Sequence, residues 1–195
     1  MKKTVAVIGA ATPFGMAISR GLAAAGYPIL LTDHVELYLS PLPFSLPLVL
    51  ARIKISVPHA DVRLVLSERD ASWEADIVFP AVRREALLAL SRKIKDVVTG
   101  KIVVGLTGRL EEMHDDTGKS AIPAAAGALA SLFPHSKIVS ATVTTGRGRA
   151  GEPGLAGNIE HVLVSGDDHE AISSVAQLIR DAGFKTLRGG TPAPH

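Results

Sequence analysis

Apolar residues along the chain follow two alternating patterns. Short runs rich in Val, Ile and Leu, with little polar alternation, are typical of strands whose two faces are both covered. Residues at helical spacing lie between these runs and predict helices at about 15–25, 83–98 and 168–182. The predicted strands are 4–8, 28–32, 62–66, 76–80, 101–107, 137–144 and 160–166. This order predicts an α/β doubly wound fold with a mostly parallel sheet.

One segment, residues 36–58, does not fit the alternation. It is apolar, but Pro41, Pro43 and Pro47 are expected to prevent a regular helix or a central strand there. Two interpretations stay open at this point. The segment is either a buried connection, or a hydrophobic surface covered by a second subunit. The second interpretation predicts a homodimer with residues 37–50 at or near the interface.

Composition narrows the class of protein. A chain of 195 residues suits a single domain, residues 1–195, with one large core. The net charge is only +2, the basic residues are scattered, and 4% of residues are aromatic, which argues against nucleic-acid binding. No uninterrupted apolar run reaches the roughly 20 residues of a membrane helix, so we expect a cytoplasmic protein without membrane contacts.

Metal chemistry is not expected either. Cysteine is absent from the sequence, which excludes disulfides and thiolate metal sites. The seven histidines show no metal-ligand spacing.

The stretch "GAATPFG", residues 9–15, carries the most specific chemistry. Gly9 and Gly15 have the spacing of a dinucleotide-binding loop, in which one glycine permits a tight turn and the other a close helix–strand contact. Thr12 replaces the middle glycine, and its hydroxyl can donate to a phosphate near the positive end of a helix. Pro13 suits a first helical turn because it needs no N–H partner.

An acidic residue strengthens this reading. Asp33 ends the second strand, eighteen positions after Gly15, where a carboxylate binds the ribose hydroxyls of a dinucleotide. Because Asp33 would repel a 2′-phosphate, the sequence favours NAD(H) over NADP(H). A purely structural turn with a solvent-exposed Asp33 is the alternative.

Later stretches carry a resemblance to a known family. "ERDASWEADIVFPAVRREALLALSRKIKDVVTGKIVV", "SKIVSATVT" and "VLVSGDDHEAISSVAQLI" resemble the NADP-binding domain of deazaflavin (coenzyme F-420)-dependent NADP oxidoreductases. The similarity covers residues 3–32 and 70–189. It implies a Rossmann-like NAD(P)-binding fold, without the C-terminal helical segment of the family. It also implies hydride transfer between nicotinamide and a second cofactor such as a deazaflavin, or a small substrate.

The resemblance also implies a set of site residues. Asp33 and His34 stand where the family has a serine and an arginine for the 2′-phosphate, which again favours NAD. The turns "AVRRE", "LTGRL" and "TTGRG" replace proline-containing turns of the deazaflavin pocket. The implied cofactor-binding residues are Gly9, Ala11, Thr12, Pro13, Phe14, Gly15, Asp33, His34, Ala81, Val82 and Thr107. Candidate substrate-binding residues are Arg109, Thr144, Thr145 and Arg147, although solvated loop arginines are an equally good interpretation.

No catalytic side chain is assigned. Hydride transfer between two bound rings relies on positioning and needs no protein acid or base. A nucleotide-binding protein without turnover, acting as a sensor or as a subunit of an assembly, is therefore the competing hypothesis.

Overall fold

The computed structural model describes residues 2–33, 45–82, 84–107, 122–145 and 159–188. Strands and helices alternate along most of this length. In chain order they are β1 Val5–Ile8, α1 Pro13–Ala24, β2 Ile29–Thr32, α2 Leu46–Ser56, β3 Val62–Leu64, α3 Glu68–Glu74, β4 Ile77–Pro80, α4 Arg84–Ile94, β5 Ile102–Thr107, α5 Ile122–Leu132, β6 Lys137–Thr145, β7 Ile159–Gly166, α6 His169–Asp181 and β8 Lys185–Arg188.

The described strands form one eight-stranded sheet in the order β3-β2-β1-β4-β5-β6-β7-β8. Every neighbouring pair is parallel except β6 and β7, which are antiparallel. The first six strands follow the order of a doubly wound dinucleotide-binding fold. The predicted α/β doubly wound, mostly parallel fold is confirmed.

Helices cover both faces of the sheet and create two apolar layers. Residues of α1, α2 and α6 pack on one face, and residues of α3, α4 and α5 pack on the other. Strand β1 supplies both layers, since Val5 and Val7 point to the first and Ala6 and Ile8 to the second. Burial on both sides explains why the strands lack polar alternation.

The expectation that prolines exclude a helix from residues 36–58 is wrong for its second half, where α2 runs from Leu46 to Ser56. Pro47 lies in the first turn, where a missing N–H has no intrahelical partner to lose. Val49 and Ile53 of this helix are buried in the core. Pro41 and Pro43 lie outside the described residues.

Other element boundaries differ from the predictions in smaller ways. Helix α1 starts at Pro13 rather than at residue 15, and α4 ends at Ile94 rather than at residue 98. Three elements, α3, α5 and β8, lie where the apolar pattern predicted none. Both α1 and α6 end beside a glycine with a positive φ, Gly26 and Gly183 respectively.

Candidate functional site

The loops that follow β1, β2 and β4 meet at one edge of the sheet. Strand β1 lies between β2 and β4, with all three parallel, so their carboxyl ends point the same way. This is the switch point of the fold, because β2 and β3 are added on one side of β1 and the chain then crosses to add β4 on the other side. In open α/β sheets, ligands bind in the crevice at this position.

Two glycines shape the first of these loops. Gly9 has a φ of +84°, and a Cβ at this position would lie 2.5 Å from the carbonyl oxygen of Ala81. A Cβ on Gly15 would lie 2.3 Å from the carbonyl oxygen of Gly9. Any side chain at either position would therefore displace backbone. The tight turn at Gly9 and the close packing at Gly15 agree with the roles predicted from the loop spacing.

Thr12 caps the amino end of α1. Its hydroxyl oxygen accepts a hydrogen bond from the Gly15 N–H at 3.1 Å and donates its proton to the Gly9 carbonyl oxygen at 2.7 Å. A hydroxyl has one proton, so this donor is already used inside the loop. A direct bond from Thr12 to a phosphate would have to replace the bond to Gly9.

One backbone donor of the loop is left for a ligand. The N–H groups of Gly9 and Ala10 donate to the Thr32 carbonyl, and that of Ala11 donates to Asp33. The Phe14 N–H has no acceptor among the described residues, and the first turn of α1 contains no acidic side chain. The positive end of this helix is therefore not neutralised within its own first turn, and an anion placed there would be stabilised.

Asp33 follows β2 directly and lies beside the glycine loop. Its Oδ1 accepts a hydrogen bond from the Ala11 N–H at 3.3 Å, and the residue is only 8% exposed. Burial raises the pKa of Asp33 above its ordinary value of 3.8, and the bond from Ala11 offsets part of this effect. The alternative of a solvent-exposed Asp33 is therefore wrong. A buried carboxylate with one backbone donor can still accept further hydroxyl donors.

The structure brings together only some of the predicted cofactor-binding and substrate-binding residues. Gly9, Thr12 and Gly15 meet Ala81 and Val82, since a Cβ on Gly9 would lie 3.3 Å from Val82 Cγ1. The other predicted residues with a described backbone, Thr107, Thr144 and Thr145, end the parallel strands β5 and β6 at the same edge of the sheet. His34, Arg109 and Arg147 lie outside the described residues.

One contributor had no signal in the sequence. The carbonyl oxygen of Thr32 accepts hydrogen bonds from Gly9 N–H at 2.8 Å and Ala10 N–H at 3.2 Å, which ties the glycine loop to the end of β2. Because a backbone carbonyl does this, residue type gives no indication of it.

Two other kinds of feature are not found in the part of the chain that the structure describes. Its helices are too short or too polar to cross a membrane. Its His, Asp and Glu side chains form no group of three or more that could hold a metal ion.

Sequence comparison gives no family. No protein-family description matches the chain, and no curated protein matches it either.

Solved structures with a similar fold are found. A hypothetical protein from Sinorhizobium meliloti is 22% identical, with a TM-score of 0.62 over 98% of this chain and 86% of that one. An imine reductase from Myxococcus stipitatus, in complex with NAD+, is 20% identical, with a TM-score of 0.62 over 96% of this chain. A pyrroline-5-carboxylate reductase from Coxiella burnetii is 18% identical, with a TM-score of 0.63 over 97% of this chain.

These similarities establish the fold. At identities of 18–22%, the chain shares the Rossmann-like architecture of the two reductases. It spans 55% of the imine reductase and 60% of the pyrroline-5-carboxylate reductase.

Proposed function

We propose that the protein binds a nicotinamide dinucleotide at the switch point and acts as an oxidoreductase. The observation that carries the proposal is the pairing of Asp33 with the glycine loop: a buried carboxylate touches Ala11 beside a helix end that is open to an anion. Ribose hydroxyls would donate to Asp33, and the pyrophosphate would lie near the Phe14 N–H. The fold shared with reductases, one of them in complex with NAD+, supports the assignment.

We propose that the preferred cofactor is NAD(H). A 2′-phosphate on the adenosine ribose would approach the Asp33 carboxylate, which is already destabilised by burial. A like-charge contact in a partly buried site disfavours NADP(H) by about 1 kcal/mol or more. The two ribose hydroxyls of NAD(H) would instead donate to the carboxylate, which among the described residues accepts from the Ala11 N–H.

We propose that hydride passes between nicotinamide and a second ring system, a deazaflavin-like cofactor, or a small carbonyl or imine substrate. The carboxyl ends of β5 and β6, where Thr107, Thr144 and Thr145 lie, would hold this second molecule. Positioning supplies most of the rate for transfer between two rings, and that case requires no catalytic acid or base. A carbonyl or imine acceptor would also take up a proton, from a protein group or from water.

Steady-state oxidation of NADH with deazaflavin, flavin, carbonyl and imine acceptors tests the enzymatic part. Turnover with any acceptor supports an oxidoreductase and identifies its class of substrate. Tight binding of NADH with no turnover on the whole panel would instead support the second candidate, a dinucleotide-binding sensor or subunit that does not catalyse the reaction. Both candidates use the same site around Asp33.

We also propose a homodimer with residues 37–50 at or near the interface. In the described part of this segment, Leu46 and Leu50 pack against the core, whereas Leu48 is 42% exposed. Replacing Leu48 with Asp should therefore give a folded monomer, and Leu46→Asp should destabilise the fold. Sedimentation of the wild type as a monomer at all accessible concentrations would contradict the dimer.

A further inference from the structure

We infer that Thr12 is a positioning residue for the cofactor, and that it acts through the loop rather than by binding phosphate itself. The inference rests on the proposed binding of a dinucleotide at this loop. It assigns to Thr12 the task of fixing the first and last glycines relative to each other, so that the Phe14 N–H is presented to the phosphate.

The hydroxyl of Thr12 joins three segments of the site at one oxygen atom. It accepts from Gly15 in the first turn of α1 at 3.1 Å and donates to Gly9 at the end of β1 at 2.7 Å. The carbonyl oxygen of Ala81, in the turn after β4, lies 3.4 Å from the same oxygen. The end of β1, the first turn of α1 and the turn after β4 therefore all contact this side chain.

A glycine at position 12 could make none of these contacts. The middle glycine of a dinucleotide-binding loop serves to let the backbone approach the pyrophosphate closely. Thr12 gives up that close approach, and Pro13 removes a further backbone donor. The loop instead offers a single donor, Phe14 N–H, in a fixed arrangement, and a fixed donor loses less freedom when the ligand binds.

Three substitutions at this position separate the hydroxyl from the rest of the side chain. Thr12→Val keeps the branched shape and removes the hydroxyl, whereas Thr12→Ser keeps the hydroxyl. Thr12→Gly restores the usual loop residue and is a gentle change for the helix cap, because glycine is well tolerated at that position. It therefore remains informative if Thr12→Val folds poorly.

Ser67 provides a matched control away from the glycine loop. It caps α3 in the same manner, with its hydroxyl oxygen accepting from the Asp70 N–H at 3.3 Å. Ser67→Ala removes a capping hydroxyl just as Thr12→Val does, so both variants should melt at a lower temperature than the wild type. Only Thr12→Val and Thr12→Gly should weaken cofactor binding.

Calorimetric titrations with NADH, ADP and adenosine test the inference at a temperature where each variant is folded. We expect Thr12→Val and Thr12→Gly to bind NADH and ADP about tenfold more weakly, a change of about 1.4 kcal/mol, and to bind adenosine as the wild type does. Thr12→Ser should restore the affinity for ADP, and Ser67→Ala should leave it unchanged.

Several outcomes would overturn the inference. One is an unchanged or higher affinity of Thr12→Val or Thr12→Gly for ADP. The others are a loss of adenosine affinity as large as the loss of ADP affinity in these variants, and an equal loss of ADP affinity in Ser67→Ala. Titration of the wild type with NADH and NADPH distinguishes failure of this inference from failure of the proposed function. If the wild type binds NADH and only the Thr12 variants behave unexpectedly, the positioning role is wrong; if the wild type binds neither NADH nor NADPH, the proposed function is wrong as well.

Discussion

Helices α1 and α6 are capped in the same way, but they differ in the charge of the side chains at their amino ends. In each helix a capping side chain accepts a hydrogen bond from the third helical N–H, Gly15 for Thr12 and Ala171 for Asp168. The cap of α6 is a carboxylate, and Glu170 adds a second acid in its first turn. The cap of α1 is neutral and no acid follows it. The start of α6 is therefore neutralised by its own residues, while the first turn of α1 contains no acidic side chain to neutralise its positive end.

The two aspartates beside these helix ends show the same contrast. Asp168 accepts from Ala171 at 2.8 Å and lies 3.0 Å from Lys137 Nζ; these contacts hold the pKa of its carboxyl below the ordinary value. Asp33 accepts only a 3.3 Å bond from Ala11 among the described residues, and burial raises its pKa. A buried carboxylate whose charge is unfavourable is a candidate for a functional role, as proposed for Asp33.

The largest expected effect is on stability and comes from Gly15, the residue that follows Phe14 in the first turn of α1. Gly15→Ala places a Cβ against the Gly9 carbonyl oxygen, so we expect the free energy of unfolding to fall by about 2–3 kcal/mol. The counterpart in α6, Ala171→Gly, should cost about 1 kcal/mol through helix propensity alone. Urea denaturation measures both changes.

A second glycine in a helix provides the control for this pair. A Cβ on Gly127 in α5 would meet nothing within 4 Å, so Gly127→Ala should stabilise the protein by about 0.5–1 kcal/mol. Gly15→Ala with wild-type stability would show that the loop relaxes easily, which would remove the steric basis of the site.

Replacing Asp33 or Asp168 with Asn should have opposite effects on NADH affinity and on stability. Asp33→Asn keeps an acceptor for Ala11 but removes the charge, so we expect NADH affinity to fall about tenfold while the free protein becomes no less stable. Asp168→Asn loses the ion pair with Lys137 and part of the helix-dipole interaction, so its stability should fall and its NADH affinity should not change. Calorimetry and thermal melting separate the two.

A further control comes from the opposite edge of the sheet. Asp76 accepts a hydrogen bond from the Thr4 N–H at 2.8 Å, as Asp33 does from Ala11. Asp76→Asn should leave NADH affinity unchanged. Loss of affinity in Asp76→Asn equal to that in Asp33→Asn would mean that the effect is a general property of the fold.

A smaller effect should appear in the pH dependence. Because the folded-state pKa of Asp33 is raised, its charge lowers the stability of the free protein above that pKa, and protonation relieves this as the pH falls. Protonation also removes the repulsion toward a 2′-phosphate. The preference for NADH over NADPH should therefore decrease as the pH falls from neutrality toward the raised pKa of Asp33, as measured by titration at each pH. A preference that is independent of pH would place Asp33 away from the ribose.

The first βαβ unit could be predicted from sequence because each of its signals is local. The spacing of Gly9, Gly15 and Asp33 predicts that they lie together at one edge of the sheet, and the structure places them there. The contact between the Thr12 hydroxyl and the Ala81 carbonyl oxygen could not be predicted, since Ala81 lies sixty-nine residues later in the chain.

Helix α2 is an element that the sequence pattern did not predict. Proline disfavours a helix only beyond its first turn, and Pro47 occupies the first turn of α2, where it is tolerated. Burial of Val49 and Ile53 against the sheet depends on β3 and α1, which the local pattern does not contain.

Calorimetric titration of the wild-type protein with NADH and with NADPH tests the central claim most directly. The buried carboxylate of Asp33, beside the amino end of α1 with no acid in its first turn, predicts that both bind and that NADH binds more tightly, by about fivefold or more. No binding of either nucleotide, or equal or tighter binding of NADPH, would contradict the claim.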